Sequence, residues 1–174
     1  MATQDDDDEE DINPNTVLLP DAHNDSEAKS LSKQQKHFLR SINSTIVIRQ
    51  LPSEGISFQL WPAATIFVSL LDEYRCDLPG KSPLYHAISV SSNGSSSRPL
   101  SILELGSGTG IVGIAAAATL GANVTVTDLP HVIPNLQFNA DANASILHEN
   151  GGTVCVAPLR WGHYDDVELI GRVL

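Results

Sequence analysis

The run Leu100-Ser101-Ile102-Leu103-Glu104-Leu105-Gly106-Ser107-Gly108-Thr109-Gly110-Ile111-Val112-Gly113 constrains the fold more than any other part of this 174-residue chain. Residues 100–105 are a short apolar run that stops at glycine, the pattern of a strand buried on both faces of a parallel sheet. Glycines at 106, 108 and 110 let the main chain turn tightly and approach a ligand that any Cβ would hold off. Residues 111–120, with Ala115, Ala116, Ala117 and Ala118 in succession, predict a helix that packs close to the sheet and stops at Gly121. Its free N–H groups and partial positive charge face the glycine turn, so an anionic group of a ligand is expected there. A second strand over 122–127 ends at Asp128, where a carboxylate is suited to grip the hydroxyl pair of a ribose.

Two ligand classes use this geometry. Gly108-x-Gly110-x-x-Gly113, with Asp128 about 20 residues on, formally matches the dinucleotide fingerprint of a nicotinamide-dependent oxidoreductase. The strand already ends at Gly106, however, and counted from there the third glycine position falls on Ile111. Read from Glu104, the string is acidic-x-Gly-x-Gly-x-Gly, which resembles the first motif of the seven-β-strand S-adenosylmethionine-dependent methyltransferases. Glu104 fits that pattern physically: a carboxylate at the strand's end can brace the loop and favours a ligand carrying an ammonium and a sulfonium.

The length predicts one domain, and a chain with 41% hydrophobic residues can build its core. Seven of the net negative charges lie in 5–11, leaving only −4 of the total −11 for the remainder. Phosphate binding needs clustered Lys and Arg, so a nucleic-acid partner is disfavoured. No apolar stretch approaches the ~20 residues of a membrane span, and the acidic N-terminus lacks the basic region of a signal or transit peptide. Cys76 and Cys155 stand far apart with no metal-ligand spacing around them, which favours reduced thiols and a location in the cytoplasm or nucleus.

Residues 1–40 read as a largely disordered acidic segment, whose functional alternative is a tail docking on a basic partner. Residues 41–174 read as the domain. Within it, 45–49 and 56–60 predict the two strands of an N-terminal hairpin about a turn at 51–55. A helix starting at Pro62 follows, with Ile66, Phe67, Leu70, Leu71 and Tyr74 on its core face. The Ser-, Asn-, Gly- and Pro-rich stretch at 76–99 predicts a flexible surface loop. After Asp128 a helix is expected over 130–147, with Val132, Ile133, Leu136, Phe138 and Ile146 packing inward, then a third strand over 153–157. Trp161 lies just past the carboxyl end of that strand, the edge at which open α/β sheets bind ligands, and is placed to flank an adenine ring. Trp61 sits at a strand-to-helix junction where a side chain can overhang a cleft, but on pattern alone it reads as a core residue.

Leu60-Trp61-Pro62-Ala63-Ala64, the 103–110 motif, Val126-Thr127-Asp128-Leu129-Pro130, the segment from Asn139 to Asn143 and Leu159-Arg160-Trp161-Gly162 occur in one order. As a set they resemble the protein-lysine methyltransferases of the methyltransferase-like group. The resemblance implies an α/β, Rossmann-like class I methyltransferase fold. Here it would be an incomplete parallel sheet of the first three core strands, preceded by a β-hairpin and a helix. It implies S-adenosyl-L-methionine as cofactor, held by Trp61, Glu104, Gly106, Ser107, Gly108, Gly110, Asp128, Leu129 and Trp161, and a protein lysine as substrate. In that family a fourth strand ends in an acidic-x-x-aromatic motif lining the lysine channel, and three more strands complete the sheet. None of these follows here, so the chain reads as the first half of such an enzyme, and no catalytic base or metal ligand is identified. An apolar strand 100–105 left unpaired on one side invites self-association. A non-catalytic interaction module is therefore the alternative from another class.

Overall fold

The computed structural model describes residues 32–76, 84, 85, 88 and 99–171. The parallel sheet is built from β3 (Ser101–Leu105), β4 (Asn123–Asp128) and β5 (Thr153–Pro158), in spatial order β3-β4-β5. Its register aligns Ile102 with Val124 and Val154, and Glu104 with Val126 and Val156, on one face. Helix α2 (Ile111–Leu120) covers that face, with Ile114 and Ala115 to Ala118 at most 4% exposed. It ends where expected, at Gly121 in the left-handed region. Close packing is enforced at Gly113, where a Cβ would collide with Val126 and with Glu104.

The expected single helix over 130–147 is two, α3 (Ile133–Ala142) and α4 (Ala144–Glu149), broken at Asn143. At the break the Asn143 side chain is turned inward and bonds the main chain of Val47 instead of solvent. Val132 and Leu136 are buried as expected, whereas Phe138 is 42% exposed and carries the Arg49 guanidinium 3.6 Å above its ring.

The N-terminal hairpin exists, but with a different first strand. β1 (Lys33–Leu39) pairs antiparallel with β2 (Ser44–Gln50), and β1 lies inside the stretch read from sequence as acidic tail. Its polar sequence KQQKHFL hides the period of two, because the inward positions are Gln35, His37 and Leu39. Residues 56–60 do not form a strand. Pro52–Glu54 and Ile56–Phe58 are 3₁₀ turns, since Pro52 has no N–H to donate and Gly55, at φ 116°, curls the chain back on itself. α1 (Pro62–Cys76) then packs on α2 through Val68 and Leu71, while Ile66 and Phe67, expected in the core, are exposed. Asp72 of α1 anchors the hairpin turn by accepting from the N–H groups of Arg40 (3.1 Å) and Ser41 (2.8 Å).

β3 departs most from expectation. Its apolar run predicts burial on both faces, yet Leu103 is 37% and Leu105 53% exposed. On their side of the sheet the neighbouring β4 residues Thr125 and Thr127 are buried, and at the far strand Ala157 and Leu159 form a small second cluster with Ile170 of α5 (Tyr164–Gly171). β3 also has no strand beyond it among the described residues. The loop at 76–99 lies outside the described residues except at 76, 84, 85, 88 and 99, and the acidic segment lies outside them up to residue 31.

Candidate functional site

The glycine turn forms because β3 and β4 end level with one another. Ser107 N–H donates to Thr127 O (2.9 Å), and the Ser107 hydroxyl accepts from Thr127 N–H (3.1 Å). The Thr127 hydroxyl in turn donates to Glu104 O (2.8 Å). Beyond this lock the chain takes positive φ at 106 (63°), 108 (55°) and 110 (81°), which glycine alone adopts without strain. The three glycines have different surroundings. A Cβ at Gly110 would strike Leu136, and one at Gly108 would sit 3.1 Å from Ser57 O, whereas one at Gly106 would meet nothing within 4 Å. Gly106 therefore presents bare main chain to open space.

Asp128 is 8% exposed and sits directly against this turn. Its Oδ2 accepts from Gly108 N–H and its Oδ1 from Leu129 N–H, each at 2.7 Å. Each oxygen keeps a second lone pair for a hydroxyl. Two clefts meet at this point. One, of about 300 Å³, is lined by Ile56, Ser57, Gln59, Trp61, Glu104, Gly106, Ser107, Gly108 and Asp128. The other, of about 480 Å³, is lined by Gly106, Asp128, Leu129, Leu159, Arg160, Trp161 and His163. Gly106 and Asp128 belong to both, so the structure brings every residue of the expected set except Gly110 into one bipartite cleft. Gly110 lies just behind, buried on Leu136.

Trp61 is held by Nε1 donating to Ile56 O (3.1 Å) and is 42% exposed, so it borders the cleft rather than filling the core. Trp161 is 75% exposed, at a turn locked by Arg160. The Arg160 guanidinium makes a two-pronged bond to Asp166 (Nε and Nη2 to the two carboxylate oxygens, both 2.8 Å), and its N–H donates to Asp166 as well (2.9 Å). These hydrogen bonds hold the Asp166 carboxyl well below the usual range. Glu104 points under α2, and its Oε2 is buried without a hydrogen-bond partner. Burial pushes its carboxyl up to about 7; the Ser107 hydroxyl and the Gly113 N–H offset part of this, and the Asp128 charge adds to it. Neither of those donors is aligned for a bond to Oε2. The turn at 56–59 and the Arg160–Asp166 clamp were not foreseen: the first was read as strand, and the second depends on a contact six residues apart that no motif marks.

A Rossmann-like α/β unit with bare main chain at the first strand's end and an acid at the second's is the arrangement with which open α/β sheets receive ligands at their carboxyl edge. Residues 33–172 match the family described as lysine methyltransferase, and the chain belongs to that family. It is similar to the protein-lysine N-methyltransferase rrg1 of Schizosaccharomyces pombe, 40% identical over 130 residues that make up 74% of this chain and 37% of that protein. It is also similar to the EEF1A lysine methyltransferase 3 of Xenopus tropicalis, 35% identical over 62% of this chain and 38% of the relative. The protein N-lysine methyltransferase METTL21A of Danio rerio is 34% identical over 65% and 42%. The chain thus aligns with roughly two fifths of the length of these relatives.

Proposed function

We propose that this chain carries the S-adenosylmethionine-binding half of a protein-lysine N-methyltransferase. The observation that carries the reading is the meeting of two clefts at Gly106 and Asp128. The larger offers Trp161 and Leu129 as an apolar seat for adenine, Asp128 takes the ribose hydroxyls, and the smaller receives the amino-acid arm. There Gly106, Ser107, Gly108 and Gly110 supply close main chain, Trp61 walls the cleft, and Glu104 supplies a carboxylate whose Oε2 is buried without a hydrogen-bond partner. Bound there, S-adenosylmethionine supplies an electrophilic methyl group: its S–CH₃ bond breaks as an N–CH₃ bond forms to a neutral lysine amine, leaving a thioether and a proton to be released. The chain's own residues orient the donor and exclude water, which is most of what such a displacement asks of a protein.

The substrate in this reading is a lysine of a protein partner, and EEF1A, which the name of one relative specifies, is the first to assay. The scarcity of clustered basic residues argues against a nucleic-acid partner. No helix among the described residues is long and apolar enough to cross a membrane. Cys76 and Cys155, far apart in the sequence with no metal-ligand spacing around them, fit a cytoplasmic or nuclear setting. A second reading, an interaction module that self-associates, is favoured by the exposed Leu103 and Leu105 on the free side of β3.

Calorimetric titration with S-adenosylhomocysteine tests the cofactor reading. Wild type binds, and Gly106→Arg, which projects a side chain into the junction, abolishes binding. Trp161→Ala weakens binding roughly tenfold or more, the size of one base–aromatic stack, while leaving Tm unchanged because the side chain is so exposed. Absence of binding by wild type, or indifference to both substitutions, overturns it. Competition by NADH at equal concentration points to a nicotinamide nucleotide instead.

A further inference from the structure

Asn135, Asn139 and Asn143 are spaced by four on α3 and its C-terminal cap, and each is at most 2% exposed. Four helical residues advance about 6 Å. Two strand residues advance about 6.7 Å. The near match lets successive asparagines meet alternate residues of β2. Asn143 Oδ1 accepts from Val47 N–H (3.0 Å) and its Nδ2 donates to Val47 O (2.9 Å). Asn139 does the same for Arg49, accepting from its N–H (2.8 Å) and donating to its O (3.1 Å). Asn135 accepts from the Arg49 Nε (2.8 Å). A side-chain amide offers the same donor and acceptor as a peptide group, so the asparagines stand in for a neighbouring strand along the edge of the hairpin.

Asn143 spends its other Nδ2 hydrogen on Asn139 O (2.7 Å), within the ladder, and Asn139 alone of the three reaches beyond it. Its second Nδ2 hydrogen bonds Thr109 O at 2.9 Å, inside the glycine turn, where Thr109 is 3% exposed. One amide therefore ties the edge of β2 to the loop between Gly108 and Gly110, with both of its Nδ2 hydrogens spent.

We infer that Asn139 is a positioning residue that couples docking of the β1–β2 hairpin to the shape of the glycine turn, making the hairpin a working part of the ligand site. The inference rests on the cofactor reading above for what the turn binds. Without the Nδ2 bond Thr109 O is buried and unpaired, and the turn loses the support that fixes its conformation. Asn143 provides the control, because it clamps the same strand and does not touch the turn.

Asn139→Ala and Asn143→Ala are compared for Tm and for affinity toward S-adenosylhomocysteine. Both lower Tm, but Asn139→Ala weakens binding roughly tenfold, the size of one buried hydrogen bond, and Asn143→Ala by less than about twofold. Equal weakening in the two, or none in Asn139→Ala, overturns the coupling. Amide exchange followed by NMR provides a measure without ligand: Gly110 N–H, which donates to Ser107 O, exchanges faster in Asn139→Ala and not in Asn143→Ala. In wild type, saturation with S-adenosylhomocysteine slows exchange of Arg49 N–H, as reciprocity between coupled sites requires. A bound ligand that leaves Arg49 N–H untouched sinks the proposal, and this arm decides if Asn139→Ala does not fold. Failure of wild type to bind removes the cofactor reading, and the ligand-free comparison still decides the coupling.

Discussion

Glu104 ties the stability of this domain to pH in a direction opposite to that of most carboxylates. Its side chain lies between β3 and α2, with Oε2 buried and unpartnered, and burial raises its carboxyl from the ordinary 4.5 to about 7. The folded state therefore holds the proton more tightly than the unfolded chain does. The stabilisation is complete below pH 4.5, falls as pH rises toward about 7, and is flat above. At about 1.4 kcal/mol for each pH unit between those values, the loss is about 3 kcal/mol. Glu104→Gln is neutral throughout and removes this dependence. The measurement is urea unfolding of both proteins from pH 4 to pH 8.5, reading the difference between them so that every other titrating group cancels. Wild type loses about 3 kcal/mol relative to the variant across the window. A difference constant within about 0.5 kcal/mol refutes the assignment of a buried, unpaired acid at this position. The same carboxylate makes a ligand prediction: a sulfonium favours its ionised form, so S-adenosylmethionine binding releases a proton and tightens as pH rises through about 7, more than binding of the uncharged thioether does.

The strand–turn–helix–strand core was legible because its determinants are local. Glycine at 106, 108 and 110, the alanine run and the terminal acid at 128 each act within a few residues of themselves, and Asp128 sits on Gly108 as its placement required. Elements stabilised at a distance were not legible. β1 is polar because only alternate positions face inward, and its pairing to β2 is closed by Asp72, more than thirty residues away. The ladder from Asn135 to Asn143 reads in sequence as a mediocre helix segment, and only the edge of β2 gives those side chains a purpose. Apolar character misled where apolar side chains lie on the surface: Phe67, Leu103 and Leu105 are hydrophobic by type, yet they line an open groove of about 500 Å³ beside β3.

Gly113→Ala destabilises by about 1–3 kcal/mol in denaturant unfolding, because the added methyl overlaps Val126 and Glu104 in a packed layer. Gly106→Ala, strained in φ but free of neighbours, costs about 1–2 kcal/mol. A further prediction concerns the side of β3 beyond which no strand lies among the described residues; its exposed apolar residues are Leu103 and Leu105, and its one ionisable side chain, Glu104, is turned under α2. Natural edges are kept apart by charge, proline or a bulge, and Ser-Ile-Leu-Glu-Leu has none facing outward. A two-fold axis through Leu103 would pair two copies antiparallel, setting Leu105 against Ser101 and Glu104 against Ile102, so that no like charges oppose. Sedimentation velocity should then show concentration-dependent association of the wild type, and Leu103→Lys with Leu105→Lys should abolish it without lowering Tm, since neither side chain is buried. A wild type that stays monomeric at every concentration removes self-association as a property of this edge and leaves the cofactor cleft as the chain's one argued function.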